Sequence, residues 1–195
     1  MLAAKTCSNR SPMEHLWCGY RWSLSRRPLL TKSLTSMVGF VAGDMVAQLS
    51  AGARLRLAGA RKYDVGRTFR MAVFGGAIAG PLSHVWFQAL DKTVLPDIPK
   101  HPIAVVIKSA ADQLFMAPLG TVLFYTSLRS MESQAHMAMA TIKAKLVPTL
   151  KINYKFWPLA HIINFAMVPP PLRILYVNCM SILWAVVLSR IAATT

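Results

Sequence analysis

Acidic residues are scarce in this sequence. Only 7 Asp and Glu occur in 195 residues, and charged residues of either sign make up 15%, against about 25% in an average soluble domain. A soluble chain of this length needs a charged shell, and this one has long stretches with no charge at all. The few carboxylates are scattered, so no paired acid and base for catalysis can be read. Cysteine is scarce too: Cys7, Cys18 and Cys179 are the only three. They form no Cys-x-x-Cys pair and no cluster with His that suits zinc. An odd, low count implies no disulfide framework, and Cys179 in its apolar segment reads as a small hydrophobe. There is no His-Glu-x-x-His, no phosphate loop and no Gly-x-Gly-x-x-Gly. GGAIAG at 75–80 has the wrong spacing. The expectation is a non-enzyme with no cofactor and no metal.

Hydrophobic residues make up 54%, and 22 Lys and Arg set a net charge of +15. Such a balance also occurs in nucleic-acid binders, but its distribution here points elsewhere. Six basic residues lie in the first 32, six between Arg54 and Arg70, and five between Arg129 and Lys155. These clusters separate the apolar stretches, as membrane insertion and anionic headgroups favour. The implied partner is a lipid bilayer, not nucleic acid.

The basic, Ser-containing, acid-poor segment 1–27 looks like an import leader of a mitochondrion or plastid, followed by one membrane domain over 28–195. The first apolar segment is 33–51; as a helix it rises about 28 Å, near the hydrocarbon thickness. Thr35, Gly39, Gly43, Ala47 and Ala51 recur every four positions and make a stripe that permits close helix approach. The second span is about 71–90, with Ala72, Gly76 and Gly80 repeating the stripe and Pro81 expected to kink it. Three prolines in 91–102 mark a turn. The third span is roughly 103–128. Over 132–147, Ala135, Ala138, Met139, Ile142 and Leu146 follow helical spacing beside Lys143 and Lys145. That pattern predicts an amphipathic helix on the membrane surface, ended by Pro148. The last region breaks at Pro169–Pro171 into helices of about 156–168 and 172–189. The fold class expected is all-α, a bundle of four or five membrane-spanning helices. Connectors 52–70 and 129–155 should share one side.

The order of motifs resembles a known family. Tyr20, Leu24, Pro28 and Thr31 are followed by Gly43-Asp44 and Gln48. Asp64 and Arg67 precede GPLSHVWFQALDK from Gly80 to Lys92. Asp112-Gln113 stands before Ala117-Pro118, and FWPLAHIINFAMVPPPLR runs from Phe156 to Arg173. Together these resemble the Mpv-seventeen family, which includes the twenty-two-kilodalton peroxisomal membrane protein, from about Tyr20 to Arg190. There are departures: family members commonly have Gln where His161 stands, and Tyr where Phe87 stands. The resemblance implies a small organellar membrane protein, in the mitochondrial inner membrane or alternatively the peroxisomal or plastid membrane. It also implies relatives associated with weakly selective pores, and no catalytic residue.

Ionisable groups inside a membrane usually face the bundle interior or water. Asp44, Gln48, Asp112, Gln113, Trp157, His161, Asn164 and Arg173 are therefore the candidates for an intramembrane polar network. One reading makes them a water-filled path for small solutes. The other makes them structural locks, with Asp44 on Arg173 and Lys108 on Asp112. Gly39, Gly43, Gly76, Gly80 and Pro81 are the expected packing positions. A homo-oligomer or a larger membrane complex fits the small-residue stripes equally well.

Overall fold

The computed structural model describes the backbone of residues 11–55 and 63–194, and the side chains of 11–50 and 63–185. Every regular element among them is helical, as the all-α expectation holds. Helix α1, Pro12–Arg26, begins with Pro12 at its first position and Glu14 reaching back to the Ser11 amide at 3.0 Å, a reciprocal N-terminal cap. Helix α2, Pro28–Leu55, starts on Pro28. Helix α3, Val65–Val73, is capped by Asp64, which accepts from the Arg67 amide. It runs through a π-turn at Phe74–Ala79 into α4, Gly80–Thr93. Helix α5, Pro102–Ala111, likewise passes through a π-turn at Asp112–Met116 into α6, Ala117–Met131. Helix α7 is Ala138–Met167, and α8 is Arg173–Thr194 after a tight turn at Pro170–Leu172.

Both π-turns stand just before a proline, Pro81 or Pro118. A proline has no amide to close the helical ladder, and its ring crowds the preceding turn. A wider turn makes room, with the Gly80 amide bonding Gly75 and the Ala117 amide bonding Asp112. In that register the Gln113 carbonyl would look to position 118, which is proline. The Tyr154 hydroxyl of α7 donates to it instead, at 3.1 Å.

Cross-rod bonds fix the antiparallel order. Gln48 reaches Thr68, Lys108 reaches Asp91, and Tyr125 meets Thr149. Phe156 stacks on Trp184, while Arg173 lies over Phe165. Helix α2 runs parallel to α8, and Gly39 is the contact: a Cβ there would lie 2.6 Å from Asn178 Oδ1. Gly80 is similarly close to the Ser33 Cα, at 2.7 Å, and Gly76 to Met37 at 3.3 Å. Gly43 differs, with open space around it. Its place in the stripe does not make it a packing contact.

The burial pattern is inverted relative to a soluble protein. The largest fully buried side chains are Arg173, Lys108, Phe165, Ile174 and Asn164. Meanwhile Val38, Leu49, Val85, Phe115, Leu159 and Met167 are exposed. Buried cations with an apolar exterior are the arrangement a lipid surround rewards. Among the described residues, Pro102–Met131 is the one helix long and apolar enough to cross a membrane by length and composition alone. In the other rods inward-facing polar residues, Asp44, His84, His161 and Asn164 among them, lower the mean hydropathy along the helix.

Two expectations are corrected. Segment 132–147 is not a separate surface helix. From Ala138 it belongs to the 30-residue α7, which continues through Pro148 and Pro158. Contacts on both sides of Pro148 hold it to α6: Arg129 donates to Thr141, and Tyr125 meets Thr149. The helix α6 itself ends at Glu132, with Ser133 at φ 58 and the Gln134 amide returning to Arg129, a left-handed cap. Also, Cys18 is disulfide-bonded, which the odd cysteine count did not suggest. Of the expected leader 1–27, residues 1–10 lie outside the described residues. The remainder forms α1, bonded to α2 through Tyr20–Thr35 and Ser23–Thr31. Arg70 and Glu132 approach at 3.5 Å, so α3 and the 132–137 connection meet at one end of the bundle.

Candidate functional site

A cavity of about 950 Å³ opens within the bundle. The π-turns contribute to its wall directly, with Phe74 and Ala79 from one and Asp112, Gln113 and Met116 from the other. Widened turns of this kind recur at functional positions because they re-aim side chains. Gly43 and Gly120 also line it, and a Cβ on either would meet nothing within 4 Å. The rest of the wall mixes aromatic side chains, including Phe40, Trp86, Phe124, Trp157 and Trp184, with aliphatic and hydroxyl-bearing ones such as Leu82, Leu123, Thr121 and Thr149.

The polar centre of that wall is Asp112. Its Oδ1 accepts from Trp86 Nε1 at 2.9 Å, and its Oδ2 accepts from Gln113 Nε2 at 3.1 Å. His161 Nε2 lies 3.1 Å from Oδ2. Trp157 packs beside the imidazole, with ring centroids 5.6 Å apart. Asp112, Gln113 and His161 are all buried.

A second cluster sits toward the Leu55 end. Asp44, also in the cavity wall, pairs with Arg67 Nε at 2.8 Å and accepts from Gln48 and Thr68. Gln48 additionally bonds the Asp64 backbone in both directions, through its amide nitrogen and its carbonyl. Gln48 thereby ties the start of α3 to α2 instead of facing the cavity. Because the Arg67 side chain is 45% exposed, solvent screening keeps this pair to about 1 kcal/mol or less.

A third cluster lies at the opposite end. Asp91 accepts from Lys108 Nζ at 2.7 Å and from Arg173 Nη1 at 2.6 Å. Lys32 Nζ contacts His84 Nδ1 at 3.1 Å. His84 is thus a buried, hydrogen-bonded packing residue three positions after Pro81.

The expected locks are therefore wrong in partner. Asp44 pairs with Arg67 and not with Arg173, because Arg173 starts α8 at the other end of the bundle. Lys108 pairs with Asp91 and not with Asp112, because the rod turns Lys108 toward the α4 terminus. Of the eight candidates, Asp44, Asp112, Gln113, Trp157 and His161 line the cavity, while Gln48, Asn164 and Arg173 do not. Asn164 is fully buried on the His161 helix, and its side-chain amide has no hydrogen-bond partner among the described residues. The double substitution Asp44→Asn with Arg173→Gln should be additive to within about 0.5 kcal/mol, since the two sites share no partner. A thermal-unfolding double-mutant cycle in detergent checks this, and a larger coupling would contradict the assignment.

Residues 130–189 match the Mpv17/PMP22 family profile. Protein sym1 of Aspergillus oryzae is 36% identical over 175 residues, covering 88% of this chain and 96% of that protein. The chain belongs to the Mpv17/PMP22 family. Protein SYM1 of Saccharomyces cerevisiae is 35% identical over 173 residues, covering 87% of this chain and 86% of the relative. PXMP2/4 family protein 2 of Dictyostelium discoideum is 33% identical over 181 residues, or 92% of each. No solved structure matches. Family membership makes this a membrane protein of the mitochondrial or peroxisomal membrane. In this family member, the FWPLAHIINFAMVPPPLR motif supplies both Trp157 and His161 to the cavity and Arg173 to the Asp91 cluster.

Sequence reasoning missed Asp91, read there as the start of a turn, and Arg67 as a partner. It also missed Trp86 as the donor to Asp112. The signal for Asp91 was available in part: Lys108 and Arg173 are both set in apolar surroundings, and each needs a carboxylate within reach.

Proposed function

We propose that the chain forms a weakly selective passage for small polar solutes in the mitochondrial inner membrane, with no catalytic role. The carrying observation is the 950 Å³ cavity within the bundle, whose wall holds Asp112, Gln113 and His161. Buried ionisable groups in a membrane protein ordinarily mark solute or ion pathways. The family relationship and the basic, acid-poor composition of residues 1–27 support the organelle. The Tyr20–Thr35 bond fits an import segment that stays with the folded protein.

Full-length protein reconstituted in planar bilayers should give a reproducible conductance. Gly43→Phe should lower that conductance severalfold, because the added ring enters open cavity space. Absence of conductance together with co-purification in one large complex would make the chain an assembly subunit instead. Conductance indifferent to Gly43→Phe would place the passage elsewhere.

A further inference from the structure

At one side the cavity ends against an apolar layer. Phe87 lies in its wall, and Phe165, fully buried, packs against Phe87 outside the wall. The two rings meet edge to face, with centroids 5.6 Å apart. Leu90, Val105 and Ile174 complete the cluster, and all three are buried. Four helices, α4, α5, α7 and α8, therefore close together here.

Charged groups stand on either side of these rings. On the cavity side is the Asp112–His161 pair, whose imidazole stacks on Phe165 at 6.0 Å and meets Phe87 at 6.3 Å. On the other side Asp91 holds Lys108 and Arg173, and the Arg173 guanidinium lies over the Phe165 ring at 5.1 Å. Phe165 thus packs on both polar clusters. The barrier between them is thin: Lys108 and Asp112 are four residues apart on one rod, about 6 Å of helical rise. Yet among the described residues no hydrogen bond joins the two clusters.

In a lipid surround the burial of apolar rings inside a bundle gains little, because acyl chains are as apolar as the side chains. A short apolar constriction between two polar regions has another effect. It excludes water and stops solutes until its rings move. We propose that Phe87 and Phe165 are the gate of the passage, an apolar constriction that shuts the cavity off from the Asp91 end of the bundle. The inference rests on the passage reading and assigns different roles to two parts of it. A ring added at Gly43 narrows the cavity, whereas the ring at Phe165 sets how often the path is open.

Single-channel recordings of the full chain in planar bilayers separate those roles. Phe165→Ala should raise the open probability severalfold over the parent, because loss of the ring lets water join the two polar clusters. Phe87→Leu shortens the side chain in the cavity wall while keeping it apolar, and should raise the open probability less. If Phe165→Ala fails to fold, Phe87→Leu decides. Met167→Ala, on the same helix as Phe165 but 73% exposed, should leave the open probability unchanged. A ring with a packing role alone would behave differently: its truncation leaves a cavity and lowers the melting temperature, with no gain in open probability. An open probability no higher than the parent's in the folded variants would overturn the gate and leave the passage standing. An equal rise in Met167→Ala would mean a general loosening of the bundle and would overturn the gate as well. No conductance from the parent or from any variant would sink the passage reading, and the gate with it.

Discussion

Replacing Asp91 by Asn is expected to destabilise the bundle by about 3–5 kcal/mol, the range for removing one partner of a buried ion pair. Asp91 is the carboxylate that meets both Lys108 and Arg173, at 2.7 and 2.6 Å. Those two cations are among the largest fully buried side chains described. The asparagine keeps the size and one acceptor oxygen but removes the charge, which strands two cations at once. Arg173→Gln should cost less. It leaves Asp91 with Lys108, and the Asp91 side chain is 25% exposed, so water shares the remaining charge. The order Asp91→Asn worse than Arg173→Gln is the discriminating result, read from thermal unfolding in detergent. The reverse order would mean that Arg173 is held mainly by its packing on Phe165 and not by Asp91.

How far the sequence carried this assignment depends on the kind of inference. Asp44 and Asp112 were legible as inward-facing, because lipid exposure of a carboxylate is costly whatever its neighbours. Their partners were not legible. Arg67 and His161 become partners only once five rods are set in register, and spacing along one chain does not fix that register. The proline break before Arg173 was readable from three consecutive prolines. Pro148 misled: a lone proline looks like a stop, yet α7 runs on because Thr141 and Thr149 hold it to α6 on either side. Tertiary contact there outweighs a local breaker. The two π-turns carried only an indirect signal, in Pro81 and Pro118, and they shape much of the cavity wall.

The small-residue stripes separate these two kinds of reading, and they set a second large effect. Gly80→Ala is expected to destabilise by about 1–3 kcal/mol, the usual cost of overpacking, while Gly43→Ala should be neutral or stabilising by up to about 1 kcal/mol. Both glycines sit in a period-four stripe, so the sequence treats them alike. At Gly80 the new methyl would lie 2.7 Å from the Ser33 Cα and 3.3 Å from the Lys32 carbonyl. Those are backbone atoms, and no side-chain rotation relieves the clash, so α2 and α4 must move apart. That movement also stretches the Lys32–His84 contact between the same two rods. At Gly43 the methyl enters open cavity space, and alanine gains helix propensity over glycine. Leucine widens the contrast, since Gly80→Leu should separate the rods outright whereas Gly43→Leu only narrows the cavity. Melting temperatures of the two alanine variants, measured side by side in one detergent, decide the matter. If Gly80→Ala melts no lower than Gly43→Ala, the close approach of α2 and α4 is not what holds this end of the bundle.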